Sequence, residues 1–177
     1  PDFCRQSMVR SDDPNVQGAV AWKPWHFLLE RAFAWEAGKS EVILKARQLG
    51  MSDLVARYLA YRARYGAQCG VISVGQREAR DLLRRITYIE RHLPRNLQVP
   101  IQVTADSIRY PAAEGAVLAF PSTEQAGISY TFNVAVMDEA AFHPWGAANY
   151  TALRPTLSAG GQFIALSTAD PTLGPSG

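Results

Sequence analysis

Short apolar runs alternate with amphipathic segments along this chain. The runs are rich in β-branched residues and predict strands over 41–46, 70–75, 101–105, 115–120, 133–138 and 162–168. Two of them, 101–105 and 115–120, are expected to form a hairpin or two neighbouring strands. Apolar residues at helical spacing predict helices over 24–38, 52–65 and 76–93, with a further helical stretch around 146–158.

The order of these elements is typical of an α/β domain with a central, mostly parallel β-sheet flanked by helices. VAVM (134–137) and FIAL (163–166) are apolar at every position, which predicts burial on both faces. We expect them to lie beside EVIL (41–44) and VISV (71–74) as core strands. Residues 1–21 are predicted to form an irregular tail before a single domain over 22–177. In such sheets, ligands bind beyond the carboxyl ends of the strands.

Composition narrows the classes of protein to be considered. With 47% hydrophobic and 19% charged residues, the 177-residue chain has neither a disordered nor a coiled-coil composition. Its net charge of +2 permits contact with nucleic acid but does not argue for it. Cys4 and Cys69 form no C-x-x-C pair, and no apolar run approaches the ~20 residues of a membrane span. We expect a soluble, intracellular protein with no membrane partner.

The first strand runs into KARQLGMS (45–52), which is similar to a phosphate-binding P-loop, G-x-x-x-x-G-K-[ST]. Gly50 and Ser52 stand at the expected places, but Met51 replaces the lysine. The N–H groups of residues 48–52, at a helix N-terminus, suit phosphate, and the Ser52 hydroxyl suits Mg²⁺. The cation must then come from Lys45 or Arg47. A glycine between a strand and a helix is often only structural, so this loop alone is weak evidence.

Two further strand ends carry candidate chemistry. VAVM is followed by Asp138 and Glu139, the Walker B arrangement, in which the first carboxylate holds Mg²⁺ through water and the second polarises the attacking water. Such a pair is equally often a solvated loop or a helix cap. The last strand ends in Ser167 and Thr168, whose hydroxyls can sense a γ-phosphate or the attacking water. A polar turn before a proline is the more common reading of these two residues.

Order and spacing make the combination more specific than its parts. KARQLGMS, SVGQREARDLLRRI, VAVMDEAAF and ALSTADP together resemble the ATPase domain of the large terminase subunit of tailed bacteriophages, over about residues 22–177. That family is the motor that pumps DNA into the capsid. The resemblance implies a P-loop NTPase fold of the RecA/ASCE type, with ATP and Mg²⁺ as cofactors. It also implies double-stranded DNA, the small terminase subunit and the portal protein as partners, and a homo-oligomeric ring in the host cytoplasm that docks transiently on the procapsid.

The resemblance also assigns roles to residues. Several large terminases carry the P-loop lysine at the front of the loop, and Lys45 matches that variant, so we predict that it supplies the cation. Arg47 in that role, with Lys45 facing solvent, is the alternative. Lys45→Ala is expected to abolish ATP binding or turnover, and Met51→Ala to change little. The implied site residues are Lys45, Arg47, Gln48, Leu49, Gly50, Met51 and Ser52 for nucleotide, with Trp25 and His26 near adenine; Ser52 and Asp138 for Mg²⁺; Glu139 and Arg47 for catalysis; and Ser167 and Thr168 for coupling hydrolysis to movement.

The sequence departs from the family pattern in two ways. Many relatives carry an Arg-Gly pair before the catalytic glutamate, proposed as an arginine finger, where this chain reads Gln125-Ala126-Gly127. The finger is then absent or displaced to another arginine, such as Arg109 or Arg154. The family's C-terminal nuclease domain has no counterpart, so we expect no metal-dependent DNA cleavage from these residues.

Two other functions stay open. One is a helicase-like ATPase, because DEA followed by a Ser-Thr motif also occurs in that wider group. The other is a degenerate nucleotide-binding module without turnover. Met51 and the missing Arg-Gly pair favour such a module. Glu139 argues against it, since an ATPase that has lost its activity does not need the catalytic carboxylate.

Overall fold

A small sheet precedes the main one in the computed structural model, which describes residues 7–10, 18–127 and 129–169. Strands β1 (Met8–Arg10) and β2 (Ala19–Ala21) pair antiparallel, with Val9 opposite Val20. The guanidinium of Arg57 holds this sheet in place by donating hydrogen bonds to Ser7 Oγ at 2.7 Å and to Met8 O at 3.0 Å. The prediction of an irregular tail over 1–21 is therefore wrong for these strands, because a distant arginine supplies their anchor.

The main sheet has seven strands within the described residues, in the order β3-β9-β8-β4-β7-β6-β5. Its strands are β3 (Glu41–Leu44), β4 (Gln68–Ser73), β5 (Gln102–Val103), β6 (Ser107–Tyr110), β7 (Gly115–Pro121), β8 (Phe132–Asp138) and β9 (Leu157–Ser167). The first five strands in the sheet order are parallel, and β6 and β5 extend the sheet antiparallel. This architecture confirms the predicted α/β fold with a mostly parallel sheet.

Helices pack on both faces of this sheet. They are α1 (His26–Glu36), α2 (Met51–Arg64), α3 (Gln76–Arg91) and α4 (Gly146–Leu153). The larger hydrophobic cluster joins α1, α2 and α3 to one face, through side chains such as Val71, Val134 and Val136. The smaller cluster joins α4 to the other face, through Ala135 and Leu153. Alternate residues of the central strands thus enter opposite cores, as their continuous apolar sequences predict.

The strand EVIL departs from its prediction. The four predicted core strands are neighbours, in the order β3-β9-β8-β4, but β3 lies at the edge of the sheet. Val42 is 83% exposed and Leu44 is 75% exposed, so the prediction of EVIL as a core strand is wrong for this face. The other side of β3 is anchored by Glu41, which accepts hydrogen bonds from Arg31 and Trp35 of α1. A four-residue apolar run does not distinguish an edge strand from a central one.

Several boundaries also differ from the predictions. Strand β6 was not predicted, and it forms the hairpin with β7 in which 101–105 was expected to take part. The stretch 146–158 is helical only to Leu153, after which a 3₁₀ turn (Arg154–Thr156) leads directly into β9. In the described part of the chain, no helix combines the length and apolar character that crossing a bilayer requires.

Candidate active site

A cavity of about 1190 Å³ opens at the carboxyl end of β3. Residues 45–46 and 48–53 form one side of it, β1 contributes Met8 and Val9, and one face of α3 contributes Asp81, Arg84, Arg85 and Tyr88. Both sides are therefore rich in charged or hydrogen-bonding groups. The cavity has room for a nucleotide, since small-molecule sites commonly measure ~300–1,000 Å³.

The loop that lines this cavity owes its shape to two residues with left-handed backbone. Gln48 has φ 61° and Gly50 has φ 74°. Gly50 is also the N-cap of α2, and no side chain caps that terminus. The first N–H groups of α2 therefore face the cavity without a side-chain acceptor, an arrangement that favours an anion. Ser52, in the same first turn, lines the cavity as well.

Met51, the residue in place of the usual lysine, belongs to the hydrophobic core. It is only 3% exposed and packs in the cluster that joins α1 and α2 to the sheet. Met51→Ala is therefore expected to lower the free energy of unfolding by about 2–5 kcal/mol, as other buried Met→Ala changes do. The prediction that Met51→Ala changes nucleotide binding little applies to the fraction of the variant that is folded.

The two candidate cations of the loop lie in different surroundings. The Lys45 side chain is 8% exposed, and its Nζ lies 2.6 Å from Glu139 Oε1. Its backbone N–H donates to Ser167 O at 2.8 Å, which holds the loop against the end of β9. Arg47 is exposed and does not line the cavity. Lys45 is thus the loop cation that points into the site, whereas the role of Arg47 stays a prediction.

Glu139 follows β8 directly and lies beside the cavity, outside its lining. It has left-handed backbone (φ 54°, ψ 47°), which turns its side chain back towards β3 and β9. Its Oε2 accepts hydrogen bonds from Thr168 N at 3.0 Å and Thr168 Oγ1 at 3.1 Å. Burial raises the pKa of Glu139, but Lys45 and Thr168 outweigh it and leave that pKa below its usual value. The carboxylate is therefore ionised at neutral pH and is held by the residues that directly follow β3 and β9.

Asp138, at the end of β8, is more enclosed. Burial raises its pKa, while the positive charges of Lys45 and Arg85 act in the opposite direction. Its Oδ1 accepts the N–H of Glu139 at 3.1 Å, and its carbonyl oxygen accepts a hydrogen bond from His143 Nε2 at 2.8 Å. The backbone after β8 is thus fixed from both sides. In the described residues no group of three or more His, Cys, Asp and Glu side chains forms a metal cluster.

Two contacts join the loop after β8 to the end of β9. Thr168 binds Glu139, and Ser167 Oγ accepts the N–H of Ala141 at 3.1 Å. Ser167 also donates to Thr168 O at 2.8 Å. The two hydroxyl residues predicted for coupling therefore contact the segment that carries the predicted catalytic glutamate.

The predicted adenine residues lie apart from the cavity. Trp25 is 68% exposed, and the His26 side chain is 88% exposed beside Glu30 at the start of α1. Neither residue lines the cavity, and their assignment to adenine stays a prediction. The candidate displaced arginines are elsewhere too, since Arg109 lies in β6 and Arg154 lines a separate groove beside β3.

The charged face of α3 had no assigned role in the sequence. Residues 84 and 85 each lie three or four positions from residue 81 and from residue 88, and all four line the cavity. This spacing places polar side chains on one helix face, and it is visible in the segment DLLRRITY. What the sequence does not show is that this face turns towards the P-loop.

Comparisons with known proteins agree with the fold. No family model and no curated protein sequence matches the chain. Among solved structures, the large terminase of bacteriophage HK97 matches 94% of the chain with a TM-score of 0.71 and 13% sequence identity. The large terminase ATPase domain of Thermus phage P74-26 matches 84% of it with a TM-score of 0.60 and 20% identity. The large terminase of a thermophilic bacteriophage matches 85% with a TM-score of 0.61 and 10% identity.

These matches span only part of the other proteins. The chain covers 36% of the HK97 terminase, 66% of the P74-26 ATPase domain and 40% of the third protein. At these identities the likeness is one of fold. The chain therefore has the P-loop NTPase fold found in the ATPase domains of phage large terminases, as the sequence motifs predict.

Proposed function

We propose that this chain is an ATP-hydrolysing motor domain of the large-terminase type. The observation that carries the proposal is the contact of Lys45 and Thr168 with the two oxygens of Glu139, beside the loop 45–52 and at the ends of three adjacent strands. A basic group, a water-polarising carboxylate and a hydroxyl sensor are the parts that phosphoryl transfer to water needs. The shared fold of the phage terminase ATPase domains supports the same function.

In this proposal, the phosphates of ATP lie on the N–H groups of residues 48–52. Lys45 transfers its Nζ from Glu139 to the phosphate oxygens, because a triphosphate carries more negative charge than one carboxylate. Glu139 is then free to accept a proton from the attacking water. The water oxygen bonds to the γ-phosphorus, the bond to the β–γ bridging oxygen breaks, and ADP and phosphate leave.

The oxygen donors of Ser52 and Asp138 fit a Mg²⁺ ion that accompanies the nucleotide. Ser52, in the first turn of α2, lines the cavity, and Asp138 offers a carboxylate at the end of β8, outside the cavity lining. Ser52 and Asp138 would hold the ion, which would offset polyphosphate charge. Oxygen ligands of this kind are those that Mg²⁺ prefers.

Coupling to movement is part of the same proposal. Thr168 donates two hydrogen bonds to the carboxylate that must polarise the water. When Glu139 exchanges its partners, its hydrogen bonds with Thr168 at the end of β9 change. The hydrogen bond between Ser167 and Ala141 then transmits this movement to the segment after β8. The work so produced would translocate double-stranded DNA into a procapsid in the host cytoplasm, by a ring of such subunits with the portal protein and the small terminase subunit. Arg47, at the exposed rim of the loop, would contact phosphate.

The test is a comparison of wild type, Glu139→Gln and Glu124→Gln, measuring ATP affinity and phosphate release with and without double-stranded DNA. We expect Glu139→Gln to keep ATP affinity and to lose turnover by about 10²–10⁴-fold, because only the water-activating group changes. Glu124 is exposed and serves as the matched control. Long single-turnover incubations are needed, since an arginine from a neighbouring subunit can contribute ~10³–10⁵ in rate. Full turnover in Glu139→Gln, or a wild type that does not bind ATP, would contradict the proposal.

A further inference from the structure

The cavity contains an arginine on the wall opposite the P-loop. Arg85 of α3 lines the cavity, and its Nη1 lies 2.9 Å from Asp53 Oδ1. Asp53 directly follows Ser52 in the first turn of α2. The Arg85 guanidinium is therefore placed beside the helix terminus that would receive phosphate. Its side chain is 51% exposed, so the contact with Asp53 is open to solvent and to a ligand.

Asp53 keeps a second basic neighbour if Arg85 moves away. Arg57 Nη1 lies 4.0 Å from Asp53 Oδ1, and the Arg57 side chain is fully buried. Hydrogen bonds to Ser7 and Met8 and the ring of Trp22, 4.2 Å from the guanidinium carbon, fix Arg57 in place. One arginine beside Asp53 is thus fixed, and the other is free to change partners.

The neighbouring arginine of α3 is in a different position. Arg84 pairs with Asp81 on its own helix, so its charge is already matched within the same turn. Arg85 has its acidic partner on another helix, and both residues of that pair line the cavity. Arg85 therefore lies in the cavity beside the first turn of α2, where the negative charge of a bound polyphosphate would be concentrated.

We propose that Arg85 is a further nucleotide-contacting residue, whose guanidinium leaves Asp53 for a phosphate oxygen when ATP enters the cavity. This inference rests on the proposed function, because it assumes that the ligand is a polyphosphate. Arginine suits the task, since its fork of N–H donors binds phosphate oxygens in pairs. The chain would then supply from α3, within the same subunit, one of the cations that the missing Arg-Gly pair does not provide.

The test measures binding of a non-hydrolysable ATP analogue with Mg²⁺ to wild type, Arg85→Gln, Asp53→Asn and the double variant. Arg80→Gln is the matched control, because Arg80 lies on the same helix but pairs with Asp106 outside the cavity. We expect Arg85→Gln to weaken binding by about 10- to 100-fold, the loss of one charge-assisted contact, and Arg80→Gln to change it less than about twofold. Arg85→Lys, which keeps the charge and loses the fork, should fall between wild type and Arg85→Gln.

The double variant separates direct contact from neutralisation of Asp53. If Arg85 contacts phosphate, adding Asp53→Asn leaves the affinity of Arg85→Gln low. Restored affinity in the double variant, or equal affinity of Arg85→Gln and Arg80→Gln, would overturn the inference. If Arg85→Gln does not fold, Arg85→Lys decides: affinity equal to that of wild type would overturn the phosphate contact. A wild type that does not bind the analogue would instead contradict the proposed function, whereas binding that Lys45→Ala abolishes and Arg85→Gln leaves intact would contradict only the role of Arg85.

Discussion

Among the pairs of a basic residue and a glutamate in the described residues, Lys45–Glu139 and Arg64–Glu90 occupy contrasting environments. Lys45 and Glu139 meet at 2.6 Å beside the cavity, where the Glu139 side chain is 33% exposed. Arg64 and Glu90 meet at 3.1 Å between α2 and α3, where the Glu90 side chain is 2% exposed. The first pair lies at the carboxyl ends of β3 and β8, and the second joins two helices within the protein.

The partners of each pair differ as much as the exposure does. Glu90 also accepts the Tyr110 hydroxyl at 3.0 Å, and Arg64 also donates to Leu97 O at 2.7 Å. Burial raises the pKa of Glu90, whereas the pKa of Glu139 is lowered because its hydrogen bonds outweigh burial. The Arg64–Glu90 pair, the sealed pair, is enclosed by protein partners and holds α2 and α3 together. The Lys45–Glu139 pair, the cavity pair, lies beside a cavity and has partners that a ligand can replace.

The largest expected effect is on ATP affinity when the cavity pair is broken. Lys45→Ala should abolish measurable binding, a loss of about 100-fold or more, because the cation nearest the loop disappears. Arg47→Ala should cost much less, since Arg47 is exposed and lies outside the cavity lining. Titration calorimetry with an ATP analogue measures both, and Lys39→Ala, an exposed lysine near β3, is the control. Unchanged affinity in Lys45→Ala together with a large loss in Arg47→Ala would show that Arg47, and not Lys45, is the phosphate-binding cation.

Breaking the Arg64–Glu90 pair should lower the free energy of unfolding and leave ATP affinity unchanged in the folded protein. Glu90→Ala leaves Arg64 buried without its carboxylate, which typically costs about 3–5 kcal/mol in the free energy of unfolding. Glu139→Gln should cost about 1 kcal/mol or less, because this pair is partly exposed and glutamine still accepts hydrogen bonds. Urea denaturation followed by circular dichroism gives both values, with Glu124→Ala as the exposed control. Equal losses in the two variants would remove the distinction between the pairs.

Sequence patterns predict where the backbone places the residues of this site, but not which side chains pair with one another. The continuous apolar runs of β8 and β9 are typical of parallel central strands, and this predicts Asp138, Glu139, Ser167 and Thr168 at the same edge of the sheet. Gly50 is expected at a loop that needs left-handed backbone. These features depend on residues that are close in sequence, so they can be predicted from the sequence.

Features that depend on long-range packing were not predictable in the same way. EVIL is apolar at three of its four positions, yet two of those side chains are exposed at the edge of the sheet. Lys45 meets Glu139, and Arg85 meets Asp53, only after helices and strands have packed. The Arg64–Glu90 pair is similar, since no local pattern marks which charges of α2 and α3 turn inwards. These contacts are consequences of the tertiary structure.

The two glutamates should also give opposite pH dependence of stability. The raised pKa of Glu90 means a contribution that is complete below the usual value of 4.5 and is lost as pH rises through the folded-state pKa. The lowered pKa of Glu139 means a contribution that is present above 4.5 and is lost as pH falls through the folded-state pKa. Unfolding free energies from pH 3 to 7, compared with Glu90→Gln and Glu139→Gln, would show the two signs. The same sign for both would contradict the contrast.

The smallest expected effect concerns alkylation of Cys69, which should not occur in the native protein. Cys69 lies in β4, is fully buried, and belongs to the same hydrophobic cluster as Tyr110, the hydroxyl partner of Glu90. Burial raises the pKa of the Cys69 thiol to about 12, so almost no thiolate exists at pH 8. Iodoacetamide should therefore leave the peptide that contains Cys69 unmodified in the native protein and label it fully in urea, as mass spectrometry of the digested protein can show. Rapid labelling of Cys69 without denaturant would mean that this interior opens to solvent, and that the Arg64–Glu90 pair is no more sealed than the pair beside the cavity.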